Sequence, residues 1–260
     1  MNLLEKYTQK EGYAEIIAES DKRMKHIEFG ILRLKEEATF KEEINDKEVV
    51  LIILSGKCSV KGRDFEFKDI GERLNVFAGK PYSVYLPCHT FYEVTGGKGT
   101  VEIAICKASS DVGGEVELIT PDKVVHKSLG RLNWTRDAYF IIDSRIKAKN
   151  LFIGETMLPS GNWTFPPHRH DFDNSPEEAN MEEIYFFRTK PSQGFGMQKI
   201  YTDDGSIDET YTIGNNDVTL LPKGYHPVVV SPGNFLYILW IMAGEKRLFL
   251  SRPDPRYKSV

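Results

Sequence analysis

An all-β chain folded as two barrel-like lobes is what this sequence predicts, and three observations predict it. Short β-branched and aromatic runs, Glu48–Leu54, Ser83–Leu86, Thr100–Ile105 and Phe235–Trp240, are punctuated by Gly, Pro, Asn and Asp, as in a jelly roll or barrel. No long amphipathic helix competes with them. The stretch Asn75–Val94 is echoed by Asn216–Val229: each reads strand, proline turn, strand, with Pro87 aligned on Pro222, so one architecture occurs twice.

Taken in order, Tyr13–Lys25 mixes charged and apolar residues as a short amphipathic helix would, and Ile27–Leu34 then alternates as a strand does. Asp111–Asn133 is polar, contains Gly113-Gly114 and is the expected connection, dividing an N-terminal lobe (1–120) from a C-terminal lobe (121–260). The acidic run Asp203–Glu209 lacks the alternating oxygen ligands and closing glutamate of an EF-hand, and predicts a hairpin turn. Pro253-Asp-Pro255 and the charged tail read as a terminal extension packed on the body or on a neighbouring subunit.

With 40% hydrophobic and 28% charged residues in 260, the chain can bury the cores of two lobes. A net charge of -4 and the lack of a basic aromatic face exclude a nucleic-acid partner. No apolar run approaches membrane-spanning length, and the start lacks a cationic segment followed by an apolar one. Cys58, Cys88 and Cys106 are odd in number and lack CxxC spacing, so they read as buried small residues of a cytoplasmic protein.

Chemistry concentrates between residues 168 and 226, which hold three of the six histidines. In Phe165-Pro-Pro-His-Arg-His-Asp171 an extended backbone points the imidazoles of His168 and His170 the same way. Glu183, opening the apolar strand Glu183–Arg188, and His226, in a Pro-x-Gly turn, complete a candidate set for one divalent cation. The acidic insert leaves the carboxylate ligand open among Glu177, Glu178, Glu182 and Glu183. The first lobe has no His-x-His and places Phe91 where the second has His226, so it is expected to carry no metal, with His89 a turn residue.

A barrel whose metal is held by His-x-His, a Glu and a later His resembles the cupin superfamily, and two such lobes resemble a bicupin. Over nearly its full length the chain is similar to the 5-deoxy-glucuronate isomerase family of myo-inositol breakdown, itself related to the 4-deoxy-L-threo-5-hexosulose-uronate ketol-isomerases. The stretches that carry this are Gly71–Pro87, Pro166-Pro-His-Arg-His-Asp171, Glu182–Arg188, Gly194–Asp204, Lys223–Val229 and Ile241–Gly244. Twelve residues separate His170 from Glu183, and one lies between Gly224 and His226; both spacings fit this family better than a generic cupin. The resemblance selects Glu183 as the carboxylate ligand, because it adjoins the Ile-Tyr-Phe strand.

The resemblance implies an aldose–ketose isomerase acting on a small sugar acid, with a divalent metal for which zinc is the first choice and manganese, iron and nickel are compatible. The proton carrier is open among Glu178, Glu182 and Asp171, and strand parity adds Tyr185, on the same face as Glu183. Gln198 and Tyr225 enter by resemblance as substrate-binding residues. The substrate carboxylate needs a cation, offered by Arg136, Arg188, Lys199 or Lys223, although parity puts Arg188 on the face opposite Glu183. Exposed β edges and family habit imply a homo-oligomer.

Overall fold

The computed structural model describes residues 1–257. Two large antiparallel sheets face each other across the middle of the molecule. The N-terminal sheet runs Glu117–Ile119, Ser83–Leu86, Lys47–Ser55, Thr100–Ser109, Ile27–Lys35, Gly12–Ile17. The C-terminal sheet runs Leu4–Lys6, Asp217–Leu221, Glu182–Lys190, Phe235–Ala243, Leu151–Leu158, Arg136–Ile142, Val125–Leu129. Each curls over a smaller sheet to form a barrel: Thr39–Glu43, Phe91–Gly96, Cys58–Gly62 and Glu66–Ile70 in the first, and Asp208–Gly214, Phe195–Tyr201 and Val228–Val230 in the second. The all-β, bicupin expectation is met.

One edge strand crosses from the N-terminal lobe to the C-terminal sheet. Leu4–Lys6 pairs with Asp217–Leu221 in the C-terminal sheet, while Glu117–Ile119 pairs with Ser83–Leu86 in the N-terminal one. The expected connection is thus partly structured, Val125–Leu129 forming the far edge of the C-terminal sheet. Tyr13–Lys25 is a correction: Gly12–Ile17 is a strand paired with Ile27–Lys35, and a turn follows. Tertiary pairing overrides the helical mixture of its side chains.

Strand alternation decides what each lobe encloses. In Glu182–Lys190, Ile184, Phe186 and Arg188 face the other lobe, whereas Glu183 and Tyr185 face the interior of the C-terminal barrel. Phe29 meets Phe186 across the interface at 5.7 Å between ring centres, within one apolar core shared by both sheets. The N-terminal barrel is filled instead by its own cluster, including Leu51, Ile53, Val60 and Tyr92. The Tyr92 hydroxyl donates to Glu42 at 2.5 Å, and the same carboxylate takes the Lys107 ammonium. His89 is an exposed turn residue, and all three cysteines are buried and unpaired.

Polar anchors lock the lobes together at the rim of the core. Glu48 accepts backbone N–H groups of Lys149, Asn150 and Leu151 at 2.6–2.7 Å. Reciprocally, Glu182 accepts those of Lys25, His26 and Ile27 at 2.6–2.7 Å. Arg73 forks onto Glu155 at 2.9 and 2.7 Å, and the Tyr237 hydroxyl completes this buried cluster. No helix among the described residues is long and apolar enough to cross a membrane.

Candidate metal centre

His168 lies in the two-residue strand His168–Arg169, His170 follows it, Glu183 comes from the neighbouring barrel wall, and His226 sits in the turn before Val228–Val230. That turn requires Gly224: its φ is +94°, and a Cβ there would lie 2.5 Å from the Tyr201 carbonyl oxygen. The three imidazoles converge, one ligating nitrogen from each lying within 4.8 Å of the others. The Glu183 carboxylate joins them, its Oε2 3.1 Å from His170 Nε2 and 3.2 Å from His226 Nε2.

The orientation of the rings is set by backbone. Nδ1 of His168 contacts the Pro166 carbonyl at 3.2 Å, Nδ1 of His170 that of Met181 at 2.5 Å, and Nδ1 of His226 that of Gly224 at 2.8 Å. A carbonyl oxygen can only accept, so each Nδ1 carries a proton, and each ring turns its Nε2, a lone-pair donor once deprotonated, toward the centre. His226 Nε2 is buried and has no hydrogen-bond partner. Three lone pairs and a carboxylate in a buried space form an electron-rich cluster that a cation would satisfy, and this donor set fits a divalent metal ion.

Electrostatics agree. Burial pushes the Glu183 carboxyl up, but the His170 and His226 imidazoles beside it outweigh that and hold the group at about 2. Burial, reinforced by the two neighbouring imidazoles, keeps His168 well below the ordinary histidine range. His170 is buried too, yet Glu183 holds it above its ordinary value.

Beside the cluster lies a cavity of about 410 Å³ whose wall includes His168, His170, Glu183, Tyr185 and Arg136. Arg136, on Arg136–Ile142, is the one Lys or Arg of that wall, its guanidinium 5.1 Å from the Phe165 ring centre. The rest is largely aromatic and apolar, including Trp134, Phe165, Trp240 and Met242. Gly154 makes room for Trp240, since a Cβ there would sit 2.2 Å from the indole. Burial first, and then the Glu183 charge, push the Tyr185 hydroxyl well above its ordinary value, so it stays protonated.

Several expected site residues lie elsewhere. Glu182 faces away from Glu183 and is one of the interlobe anchors described above. Glu178 is buried in the acidic insert, accepting the backbone N–H groups of Asp171 and Phe172 at 3.0 and 3.2 Å. Asp171 holds the Gly224 N–H at 2.8 Å, bracing the His226 turn. Arg188 pairs with Glu102 of the other lobe at 2.7 Å, as its parity requires. Tyr225 alternates with His226 and so points out of the barrel, stacking on Tyr201 at 5.0 Å. Lys199 pairs with Asp208 and Lys223 with Ser206. Gln198 is buried inside the barrel, its carbonyl oxygen accepting from Thr219 at 2.7 Å, but it is not part of the cavity wall.

Sequence reasoning missed the contribution of the C-terminal segment. Phe249, Leu250 and Ser251 line the cavity, and Arg252–Pro253 pairs with His168–Arg169 itself. Asp254 fastens this segment: its N–H donates to the Pro167 carbonyl at 2.8 Å, and its buried carboxylate accepts from Tyr201 at 2.7 Å and from Arg256. The only sequence signal was the Pro-Asp-Pro punctuation of a tail that could pack on the body.

A curated 5-deoxy-glucuronate isomerase of Geobacillus kaustophilus (strain HTA426) is 38% identical over 237 residues, covering 90% of this chain and 86% of that protein. The crystal structure of an IolB-like protein from Salmonella typhimurium LT2 superposes with a TM-score of 0.95 at 32% identity, covering 99% of this chain and 98% of the other. Lactobacillus farciminis oxalate decarboxylase shares the fold alone, with a TM-score of 0.73 at 11% identity over 99% of this chain and 90% of that one. The KduI/IolB family model matches residues 3–260, and the chain belongs to that family.

Proposed function

We propose that this protein is a metal-dependent aldose–ketose isomerase that converts 5-deoxy-D-glucuronate to 5-dehydro-2-deoxy-D-gluconate in myo-inositol catabolism. The observation that carries this reading is the convergence of three imidazoles and Glu183 beside a cavity whose wall holds a single guanidinium. The curated relative of that name supplies the substrate.

The reaction moves a hydrogen between adjacent carbons, turning an aldehyde and its neighbouring hydroxyl into a ketone and a primary alcohol, with a carboxylate at the far end of the molecule. A divalent ion held by His168, His170, Glu183 and His226 would supply Lewis acidity that polarises the carbonyl and acidifies the adjacent C–H. Arg136 binds the far carboxylate and so fixes which end of the sugar meets the imidazoles. The Tyr185 hydroxyl, held protonated beside Glu183, donates a hydrogen bond to the oxygen on which charge builds. The aromatic wall and residues 249–251 keep bulk water from the reacting carbons.

Zinc is our first choice of metal on the family resemblance; manganese, iron and nickel fit the same three-nitrogen, one-oxygen donors. Three unpaired, buried cysteines support a reducing, cytoplasmic setting, and exposed Trp163, Phe195 and Met197 support a homo-oligomer. The test is NMR of the purified protein with 5-deoxy-glucuronate in deuterated water, before and after chelation. Ketose should appear, stop on chelation and return with metal. Faster turnover of a different deoxy-hexuronate would reassign the substrate, and binding without turnover of either would make this a sugar-acid-binding protein.

A further inference from the structure

A second polar cleft opens between the lobes, away from the metal cluster. It has about 410 Å³ and is walled by Arg33 and Glu102 of the N-terminal sheet, Arg188 and Lys190 of the C-terminal sheet, and the amides of Asn75 and Asn215. Parity explains why these charges meet: Arg33 and Glu102 are cross-strand partners on the face turned toward the other lobe, and Arg188 is on the corresponding face opposite. Arg188 neutralises Glu102 through one bond of 2.7 Å. Arg33 and Lys190 make no side-chain ion pair among the described residues, which leaves the cleft with an excess of two positive charges.

The groups facing this space are incompletely satisfied. Glu102 is only 6% exposed, yet its Oε1 is buried without a partner, and so is Nε of Arg188. A simple anion would use the cations and leave Glu102 Oε1 unpaired. A purely neutral sugar would do the reverse. A ligand with an acidic end and several hydroxyls fits both, its hydroxyl donating to Glu102 while its anion takes the donors of Arg33, Lys190 and Arg188.

We propose that this interlobe cleft is a second, non-catalytic binding site for an anionic polyol, a sugar acid or a sugar phosphate. Its walls come from both lobes, so occupancy would tie them together and stabilise the folded molecule by mass action. The site is independent of the assigned reaction.

The test is calorimetric titration of the metal-loaded protein with gluconate, with glucose 6-phosphate and with glucose. Gluconate or glucose 6-phosphate should bind saturably and glucose should not; whichever charged probe binds more tightly identifies the acid group preferred. In the double variant Arg33→Ala/Lys190→Ala, binding should weaken by about tenfold or more. Turnover without added probe and the melting temperature should be close to those of the parent, and Arg33→Lys should recover part of the affinity. Arg136→Ala should leave this binding event in place. Undiminished binding in the double variant, binding lost in Arg136→Ala, equal binding of glucose, or no binding of either charged probe by the parent protein would each overturn the proposal.

Discussion

At the scale of single residues, neighbours in sequence have opposite fates because a strand alternates. Glu183 reaches the imidazoles while Glu182 anchors the other lobe, and His226 enters the barrel while Tyr225 leaves it. Replacing Glu183 by Gln removes the only negative ligand, and metal affinity should fall by at least about 100-fold, measured by competition with a chromophoric chelator. Arg136 is the one cation on the cavity wall, so Arg136→Ala should raise KM for the uronate by about 10- to 100-fold, with a smaller effect on kcat and none on bound metal. An unchanged KM would remove Arg136 from the carboxylate-binding role. The convergence of the His168 and His170 rings was legible in the sequence because His-x-His on an extended strand has a built-in parity. Glu178 and Glu182 misled because carboxylates near a site are chemically alike, and only packing shows that theirs are taken up by backbone N–H groups.

At the scale of elements, the C-terminal segment is part of the site. Phe249 stacks on Phe152 at 4.9 Å, and Asp254 fixes the segment to the strand that bears His168. Burial raises the Asp254 carboxyl, but bonds from Arg256 and Tyr201 hold it at about 2 in the folded protein. A depressed carboxyl contributes stability above its unfolded value near 3.8 and loses it as pH falls toward 2. Acidification from about 4 to 2 should therefore loosen this segment, and Asp254→Asn should weaken the same attachment at neutral pH. Limited proteolysis near residue 250 should report both effects; equal protease resistance in parent and Asp254→Asn would contradict the fastening role. The main strands were legible from β-branched runs and turn residues. The strand Gly12–Ile17 and the cavity-lining tail were not, because both are set by pairing with residues distant in sequence.

At the scale of the whole molecule, the repeated lobes are joined by matching devices. Glu48 and Glu182 sit at the start of equivalent strands, third in each large sheet, and each gathers three N–H groups from the opposite lobe. Glu182→Ala would strand three donors at the interface and should cost roughly 2–4 kcal/mol in denaturant unfolding, while the remaining folded protein binds metal normally. Loss of metal binding without loss of stability would return Glu182 to the site. The Asn75–Val94 and Asn216–Val229 echo made the duplication legible, but the crossing of Leu4–Lys6 to the C-terminal sheet and the reciprocal anchors could not be read from it. They depend on how one lobe meets the other.

The central claim is that His168, His170, Glu183 and His226 together hold the one divalent ion on which isomerisation depends. Its most direct test is turnover of 5-deoxy-glucuronate by chelated protein as metal is titrated back. The account predicts activity rising with bound metal to a plateau at about one ion per chain; full turnover by the metal-free protein would contradict it.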